Sequence, residues 1–358
     1  AVRDAFRRLG GFGLEPLPIL GAPSADRYRN KAQYPLGRDR DGRIVAGFYA
    51  RNSHRIVPAE DCPLQPVIFS EILRLVLDFL NANRLSVYDE GTGKGDYRHV
   101  YLREAPSTGE VMLCMVASRE NPPGMRELAE KVQAAFSEVV SVYLNINPEK
   151  TNVILGREYR LLAGKAQITD EFLGKKLAVS PASFYQVNQA QAQRLYELAF
   201  DFAEFTGTEH LLDLYCGIGS IGLSAADRIG KLTGVEIVPQ AVENARLNAK
   251  LNGVKAEFFC ADASGAARKL AEEGAKPDVI LVDPPRKGCG AEVLEAIFRM
   301  APRKVVMISC NPATAARDCK ILCEGGYRLR KYQAADMFPR TGHVECVALL
   351  TAPDAARE

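Results

Sequence analysis

The sequence predicts an α/β protein: a mostly parallel, seven-stranded sheet with one reversed strand in the C-terminal half, preceded by a smaller α+β domain with antiparallel strands. Three observations predict it. From about residue 180, short apolar runs alternate with helix-length segments, the pattern of strands buried on both faces by crossover helices. The last two runs, "YRLRKYQAAD" and "HVECVALL", stand too close together for a helical crossover, so one of them must run antiparallel. Before residue 178, apolar and polar residues alternate in short stretches broken by Gly, Pro and Asp, which reads as hairpins. The domains are therefore expected at 1–178 and 179–358.

In the first domain, "ADRYRNKAQYPLGRDRDGRIVAGFYARNSHRIV" and "YRHVYLREAPSTGEVMLCMVAS" supply the strands, and helical periodicity predicts helices near 65–84 and 123–141. Five further strands follow in "HLLDLYC", "LTGVEI", "AEFFCAD", "DVILVDPP" and "KVVMISC", ahead of the closing pair. The 358 residues, 47% hydrophobic and 25% charged, suit two ordinary cores. No apolar run approaches the roughly 18 residues that cross a bilayer, and the first residues lack a signal-peptide core, so no membrane partner is expected. Nine scattered cysteines, an odd number, favour a reducing cytoplasm over a disulfide framework. Cys319 and Cys323 have helical spacing and no companions to complete a metal site, so they read as helix packing. The net charge of +2 conceals a basic beginning, with 11 Lys/Arg against 6 Asp/Glu in residues 1–60. Such an end invites phosphates.

"DLYCGIGSIG" places Gly217, Gly219 and Gly222 directly after a strand, where glycines permit a tight turn and a close approach of ligand to backbone N–H groups. Glu236 ends the next strand, where a carboxylate can accept the hydroxyls of a ribose. A nicotinamide dehydrogenase would share both features. Asp213 and Asp262 bring further carboxylates to the carboxyl edge of the sheet, which suits a cationic, adenosine-bearing ligand better than a pyrophosphate. "DPPRKG" adds Asp283, followed by two prolines that stiffen its loop.

The stretch "VVMISCNPATAARDC" runs from strand to helix with Cys310 at the junction. Asn311 is a favoured N-cap and Pro312 a favoured first helical residue, so the thiol is expected at a helix N-terminus, where the dipole lowers its pKa. A thiolate adding to carbon-6 of uracil turns carbon-5 into a nucleophile able to take a methyl group. A base must then remove the carbon-5 proton. "FPRTGHVECV" supplies His343 and Glu345 for that task.

The series "SFYQVN", "DLYCGIGSIGL", "GVEIVPQAVENA", "DPPRKG", "SCNPATAARD" and "DMFPRTGHVE" resembles the RNA uracil-5-methyltransferases, in order and spacing, and "YRNKAQYPLG" and "GFYARNSHRIV" resemble that family's central domain. The resemblance covers almost the whole chain. It implies a Rossmann-like S-adenosylmethionine-dependent methyltransferase domain behind a central RNA-binding domain. It also implies Cys310 as nucleophile, Glu345 as base, and Asp283 between cofactor and substrate. S-adenosylmethionine would be held by Gln186, Tyr215, Gly217, Gly219, Ser220, Glu236, Asp262 and Asp283. Phe184 is expected to stack on the target uracil or to pack in the core.

Arg27, Arg29, Lys31, Arg38, Arg40 and Arg43, with Tyr28 and Tyr34 among them, are expected either to track RNA phosphates and stack bases or to form a solvated hairpin face. Many relatives carry an upstream barrel and an iron-sulfur cluster. Here Cys62 resembles a fourth cluster ligand whose three partners would precede residue 1, so a cluster is not expected in this chain. It begins at Ala1 and is expected to be a piece of a longer protein. Ala315 stands where relatives often have leucine, a change expected to alter only helix packing. The expected substrate is 23S ribosomal RNA in preference to the tRNA T-loop, and nothing in the sequence requires more than a monomer. Three rivals stay open: an exocyclic-amine methyltransferase, a nicotinamide dehydrogenase and a non-catalytic RNA-binding protein.

Overall fold

A computed structural model describes residues 1–353; positions 354–358 of the expected catalytic domain lie outside the described residues. The chain forms two compact units. One comprises Ala1–Ala25, Phe172–Leu177 and the chain from Ala182 onward; the other comprises Asp26–Glu171 and Ala178–Pro181. Assigning residues 1–25 to the first domain is thus corrected. Helix α1 (Val2–Arg8) and strand β1 (Leu17–Leu20) belong with the large sheet.

The Asp26–Glu171 unit contains β2 (Lys31–Arg38), β3 (Ile44–Tyr49), β4 (Ile56–Pro58), α2 (Val67–Ala82), β5 (Tyr97–Ala105), β6 (Glu110–Ala117), α3 (Met125–Ala135), β7 (Val139–Ile146) and β8 (Glu158–Gly164). Its sheet runs β4-β3-β2-β5-β6-β7-β8. All neighbours are antiparallel except β6 and β7, which the α3 crossover joins in parallel. Phe69, Ile72, Leu73 and Val76 of α2 and Leu128 and Val132 of α3 pack on Leu36, Val100, Leu102, Leu113 and Leu144. These are alternate strand residues on one sheet face. The helix expected at 123–141 stops at Ala135, because Phe136 is extended. The run that follows, "VVSVYLNI", pairs with both neighbours as β7, since β-branched and aromatic residues fit a pleated, buried strand better than a helix.

The chain crosses between units through β9 (Ile168–Phe172) and β10 (Lys175–Val179). It continues as α4 (Gln189–Ala203), β11 (His210–Leu214), α5 (Ser220–Ser224), β12 (Lys231–Glu236), α6 (Pro239–Leu251), β13 (Ala256–Cys260) and α7 (Ala263–Glu272). Then come β14 (Val279–Val282), α8 (Ala291–Met300), β15 (Lys304–Ser309), α9 (Pro312–Glu324), β16 (Arg328–Ala335) and β17 (Glu345–Thr351). The sheet has eight strands in the order β1-β16-β17-β15-β14-β11-β12-β13. β17 runs antiparallel to β15 and β16; the other pairings are parallel.

The seven expected strands are therefore joined by an eighth, β1, on the edge of β16. Phe6 of α1 is fully buried and stacks on Tyr332 at 4.1 Å and 6°. That aromatic contact ties the beginning of the chain to this sheet. Strand order reverses between β11 and β14, the place where open α/β sheets leave a crevice at their carboxyl edge. No helix among the described residues is long and apolar enough to cross a membrane.

Candidate active site

A cleft of about 620 Å³ opens at that edge, and Asp283, Cys310 and Glu345 line it together. Gln186, Tyr215, Gly217, Glu236 and Asp262 line it too, whereas Gly219 and Ser220 are not among its lining residues. The loop after β11 explains the glycines. Gly217 has φ 56 and Gly219 φ 81, left-handed conformations that a side chain disfavours. Tyr215 holds φ 69 without being glycine, strain of the kind found where structure over-determines a functional loop.

The Glu236 carboxylate accepts from the Gly217 amide at 3.0 Å with Oε2 and from the Val238 amide at 2.9 Å with Oε1. Asp262 caps α7 through its Oδ1, which accepts from the Gly265 amide at 2.8 Å. Both acids are thus oriented by backbone donors while facing the cleft. Asp213 is a correction to the expected edge cluster, because it lies within β11, fully buried, and does not line the cleft. Its Oδ2 accepts from the Gly222 amide at 3.0 Å, and its Oδ1 has no hydrogen-bond partner among the described residues. Burial, reinforced by Asp283 and Glu236, pushes its pKa up to about 8.

Gln186 is placed by its surroundings. Asn188 caps α4, its Oδ1 accepting from the Gln191 amide at 3.2 Å, while its Nδ2 donates to the Met337 carbonyl at 3.0 Å. From α4, the fully buried Tyr196 hydrogen-bonds both Gln186 and Ser220. Ser220 therefore meets the site through a tyrosine that sequence reading missed. Phe184 is 67% exposed and lines the cleft, which removes core packing and leaves an aromatic face for a ligand.

Cys310 stands between β15 and α9. Ser309 pairs with Cys346, so the next position in that antiparallel register sets Cys310 opposite Glu345. The expected N-cap is present: Asn311 Oδ1 accepts from the Ala313 amide at 3.1 Å. The expected depression of the thiol pKa is corrected. Burial and the nearby Glu345 and Asp283 push it up, against the opposing pull of Arg286, and together they outweigh the helix end. Burial also raises both acids, Asp283 to about 7 and Glu345, with help from Asp283, to about 8. His343 is exposed and does not line the cleft, which leaves Glu345 as the candidate base.

The Asp283 loop is clamped to α9. Asp318 Oδ2 accepts from the Cys289 amide at 2.8 Å, and Arg317 Nε donates to Asp318 Oδ1 at 2.8 Å. Arg317 Nη2 reaches the Lys287 carbonyl at 3.0 Å, and Asn311 Nδ2 the Arg286 carbonyl at 2.9 Å. The helix that begins just after Cys310 therefore also fixes the loop of Asp283. Sequence reading found the motif "SCNPATAARD" without this role. Cys319, further along α9, is buried in the core and Cys323 packs against it.

In the other unit, the expected RNA residues divide. Arg27 bonds Asp61 twice at 2.7 Å and the carbonyls of Cys62 and Gln65 at 2.9 and 2.8 Å, so its guanidinium holds a loop of its own unit. Tyr28 and Tyr34 are buried, and Tyr34 donates to Gln65 Oε1; neither presents a face for base stacking, which corrects that expectation. Arg29 and Lys31 are half-buried, and burial, with Arg103 and Arg29 nearby, lowers the Lys31 pKa to about 8. Arg38 braces its hairpin by donating to the Gly42 carbonyl at 2.6 Å, whereas Arg40 and Arg43 are exposed. Cys62 is partly buried, and no metal-holding group of three His, Cys, Asp or Glu occurs among the described residues.

A mostly parallel sheet with one reversed strand, bearing a carboxylate-lined cleft at its reversal point, defines a Rossmann-like S-adenosylmethionine-dependent methyltransferase. Known proteins narrow that class. A family model described as tRNA (Uracil-5-)-methyltransferase matches residues 22–353. A Bacillus cereus protein described as an uncharacterized RNA methyltransferase is 43% identical over 353 residues, 98% of this chain and 76% of that protein. A Clostridium tetani protein of the same description is 42% identical over 351 residues, again 98% and 76%. The crystal structure of Pyrococcus abyssi tRNA (uracil-54, C5)-methyltransferase in complex with S-adenosyl-L-homocysteine superposes with a TM-score of 0.81 at 30% identity, covering 98% of this chain and 82% of that one. The chain belongs to the tRNA (uracil-5-)-methyltransferase family.

The cleft fits its methyl donor. Val235, Ile237 and Pro284 offer apolar walls beside Glu236 and Asp262, the pairing of surfaces that an adenosine needs, in a volume ordinary for such ligands.

Proposed function

We propose that this protein methylates carbon-5 of uridine in RNA, with 23S ribosomal RNA as the preferred substrate. The observation that carries the reading is the single cleft shared by Cys310, Asp283 and Glu345. The Cys310 sulfur forms a bond to uracil carbon-6, and the electron pair moves through carbon-5 toward the carbon-4 carbonyl. S-adenosylmethionine supplies an electrophilic methyl group for carbon-5. Glu345, ionised, then takes the carbon-5 proton, the carbon–sulfur bond breaks, and the thiolate leaves. The proton passes from Glu345 to solvent.

Because the free thiol is not held as a thiolate, its proton must pass to a neighbouring base on substrate entry. Asp283 is the carboxylate left for that proton, because Glu345 must be ionised for the later step, and burial raises the Asp283 pKa toward neutrality. Phe184 stacks on the uracil, and Gln186, Tyr215, Gly217, Glu236 and Asp262 hold the methyl donor. The Asp26–Glu171 unit is proposed to contact RNA, with exposed Arg40 and Arg43 as phosphate contacts and half-buried Arg29 as a third. Transfer to the tRNA T-loop is a second reading, favoured by the named substrate of the Pyrococcus abyssi enzyme.

The test incubates the protein with 5-fluorouridine-substituted total RNA and S-adenosylmethionine. Fluorine cannot leave as a proton does, so a covalent adduct at Cys310 is expected, absent in Cys310→Ala. Sequencing the trapped RNA separates ribosomal from transfer RNA. Binding of the methyl donor without any adduct would sink the thiolate mechanism and favour methylation of an exocyclic amine.

A further inference from the structure

Arg286, the residue after the two prolines, lines the same cleft as Cys310, Asp283 and Glu345. Its side chain is exposed, and its guanidinium enters no ion pair among the described residues; its polar neighbour is His343 Nδ1, 3.5 Å from Nη2. Four acids line this cleft, Glu236, Asp262, Asp283 and Glu345, yet the arginine is bound to none of them.

Its backbone is fixed. Asn311 Nδ2 and Thr314 Oγ1 donate to the Arg286 carbonyl at 2.9 and 3.4 Å, so the first turn of α9, which follows the nucleophile, also anchors the arginine. A planar guanidinium held at the mouth of a site and left without a carboxylate matches a phosphate, to which it can donate two parallel hydrogen bonds. A nucleotide drawn out of its stack toward Cys310 must bring its flanking backbone to the cleft mouth.

We propose that Arg286 binds a backbone phosphodiester beside the target uridine and so sets the depth to which the base enters the cleft. The proposal rests on the RNA methylation reading and names the part of the RNA that this site grips. The neighbouring Lys287 also lines the cleft, but as a point charge on a flexible stem it lacks that geometry.

The experiment measures binding of unmodified 23S ribosomal RNA and tRNA transcripts by the full chain across a potassium chloride series, for wild type, Arg286→Gln and Arg286→Lys. Loss of one phosphate contact should reduce the slope of log K against log salt by about 1 in Arg286→Gln. Arg286→Lys should keep the slope and lose only part of the affinity. The affinity for S-adenosylmethionine, measured in parallel, shows whether either substitution also disturbs the methyl-donor side of the same cleft, and the salt slope is compared at saturating donor. A wild-type slope in Arg286→Gln overturns the proposal, even if methylation falls. Failure of the parent reading is seen separately, as wild-type protein that binds RNA but forms no adduct with 5-fluorouridine RNA.

Discussion

Cys310 and Glu345 stand opposite one another at the ends of adjacent antiparallel strands, one position beyond the Ser309↔Cys346 pair. Residues directly opposite in such a register project to the same face, so the thiol and the carboxyl enter one cleft. The reversed strand is thus what brings the two side chains to one edge of the sheet. A parallel β17 would place Glu345, its first residue, at the other end of the sheet.

That pairing predicts a separation of steps. Glu345→Gln should still allow Cys310 to add and the methyl to transfer, but not proton removal. Turnover should fall about 100-fold or more, while a covalent protein–RNA species builds up on ordinary RNA and survives a denaturing gel. Equal loss of adduct and turnover would argue against Glu345 as the base.

The raised carboxyl pKa values predict the activity profile. Glu345 must be ionised to accept a proton, and burial holds it up at about 8, so release of methylated RNA from the covalent adduct should speed up with pH from 6 toward 8.5 and then level. The rising limb should vanish in the residual activity of Glu345→Gln.

Stability should run the other way at Asp213. Its pKa is lifted from 3.8 to about 8 on folding, so the folded state holds the proton more tightly than the unfolded state. Its contribution is complete below about pH 4 and is lost as pH rises through 8. The melting temperature of Asp213→Asn relative to wild type should therefore increase steadily between pH 5 and 9. A constant difference would show that Asp213 does not titrate in this way.

The clamp on the Asp283 loop predicts a loss of both stability and rate. Asp318→Ala leaves the buried Cys289 amide unpaired and releases Arg317, which should cost about 2 to 3 kcal/mol in urea unfolding. Gly288→Ala should cut methylation as well, because its φ is 79° and a Cβ there would meet Arg317 Nη2 at 2.5 Å and Asp318 Oδ2 at 2.6 Å.

Tyr196→Phe removes the hydroxyl shared by Gln186 and Ser220. Binding of S-adenosylmethionine, measured by calorimetry, should weaken about 2- to 10-fold, the equivalent of one net hydrogen bond. Unchanged affinity would place Gln186 outside the methyl-donor site.

The sequence alone determined the alternation of strand and helix after residue 180, the reversed strand, the glycine turn, and the identities of Cys310, Asp283 and Glu345. These are legible because they rest on local rules: period, turn chemistry, capping and the short gap before β17. What only the tertiary structure decided depends on neighbours distant in sequence. Phe6 and β1 join the large sheet through Tyr332 and β16, a contact no local pattern announces. Phe136 ends a helix that periodicity would continue, because β7 pairs on both sides. The direction of the cysteine's pKa shift reverses the sequence expectation, since a helix end acts locally but burial beside two acids exists only once β14, β15 and β17 assemble. The clamp of Arg317 and Asp318 on the Asp283 loop has the same origin, because hydrogen bonds spanning 28 to 30 residues come into being only with the packed sheet.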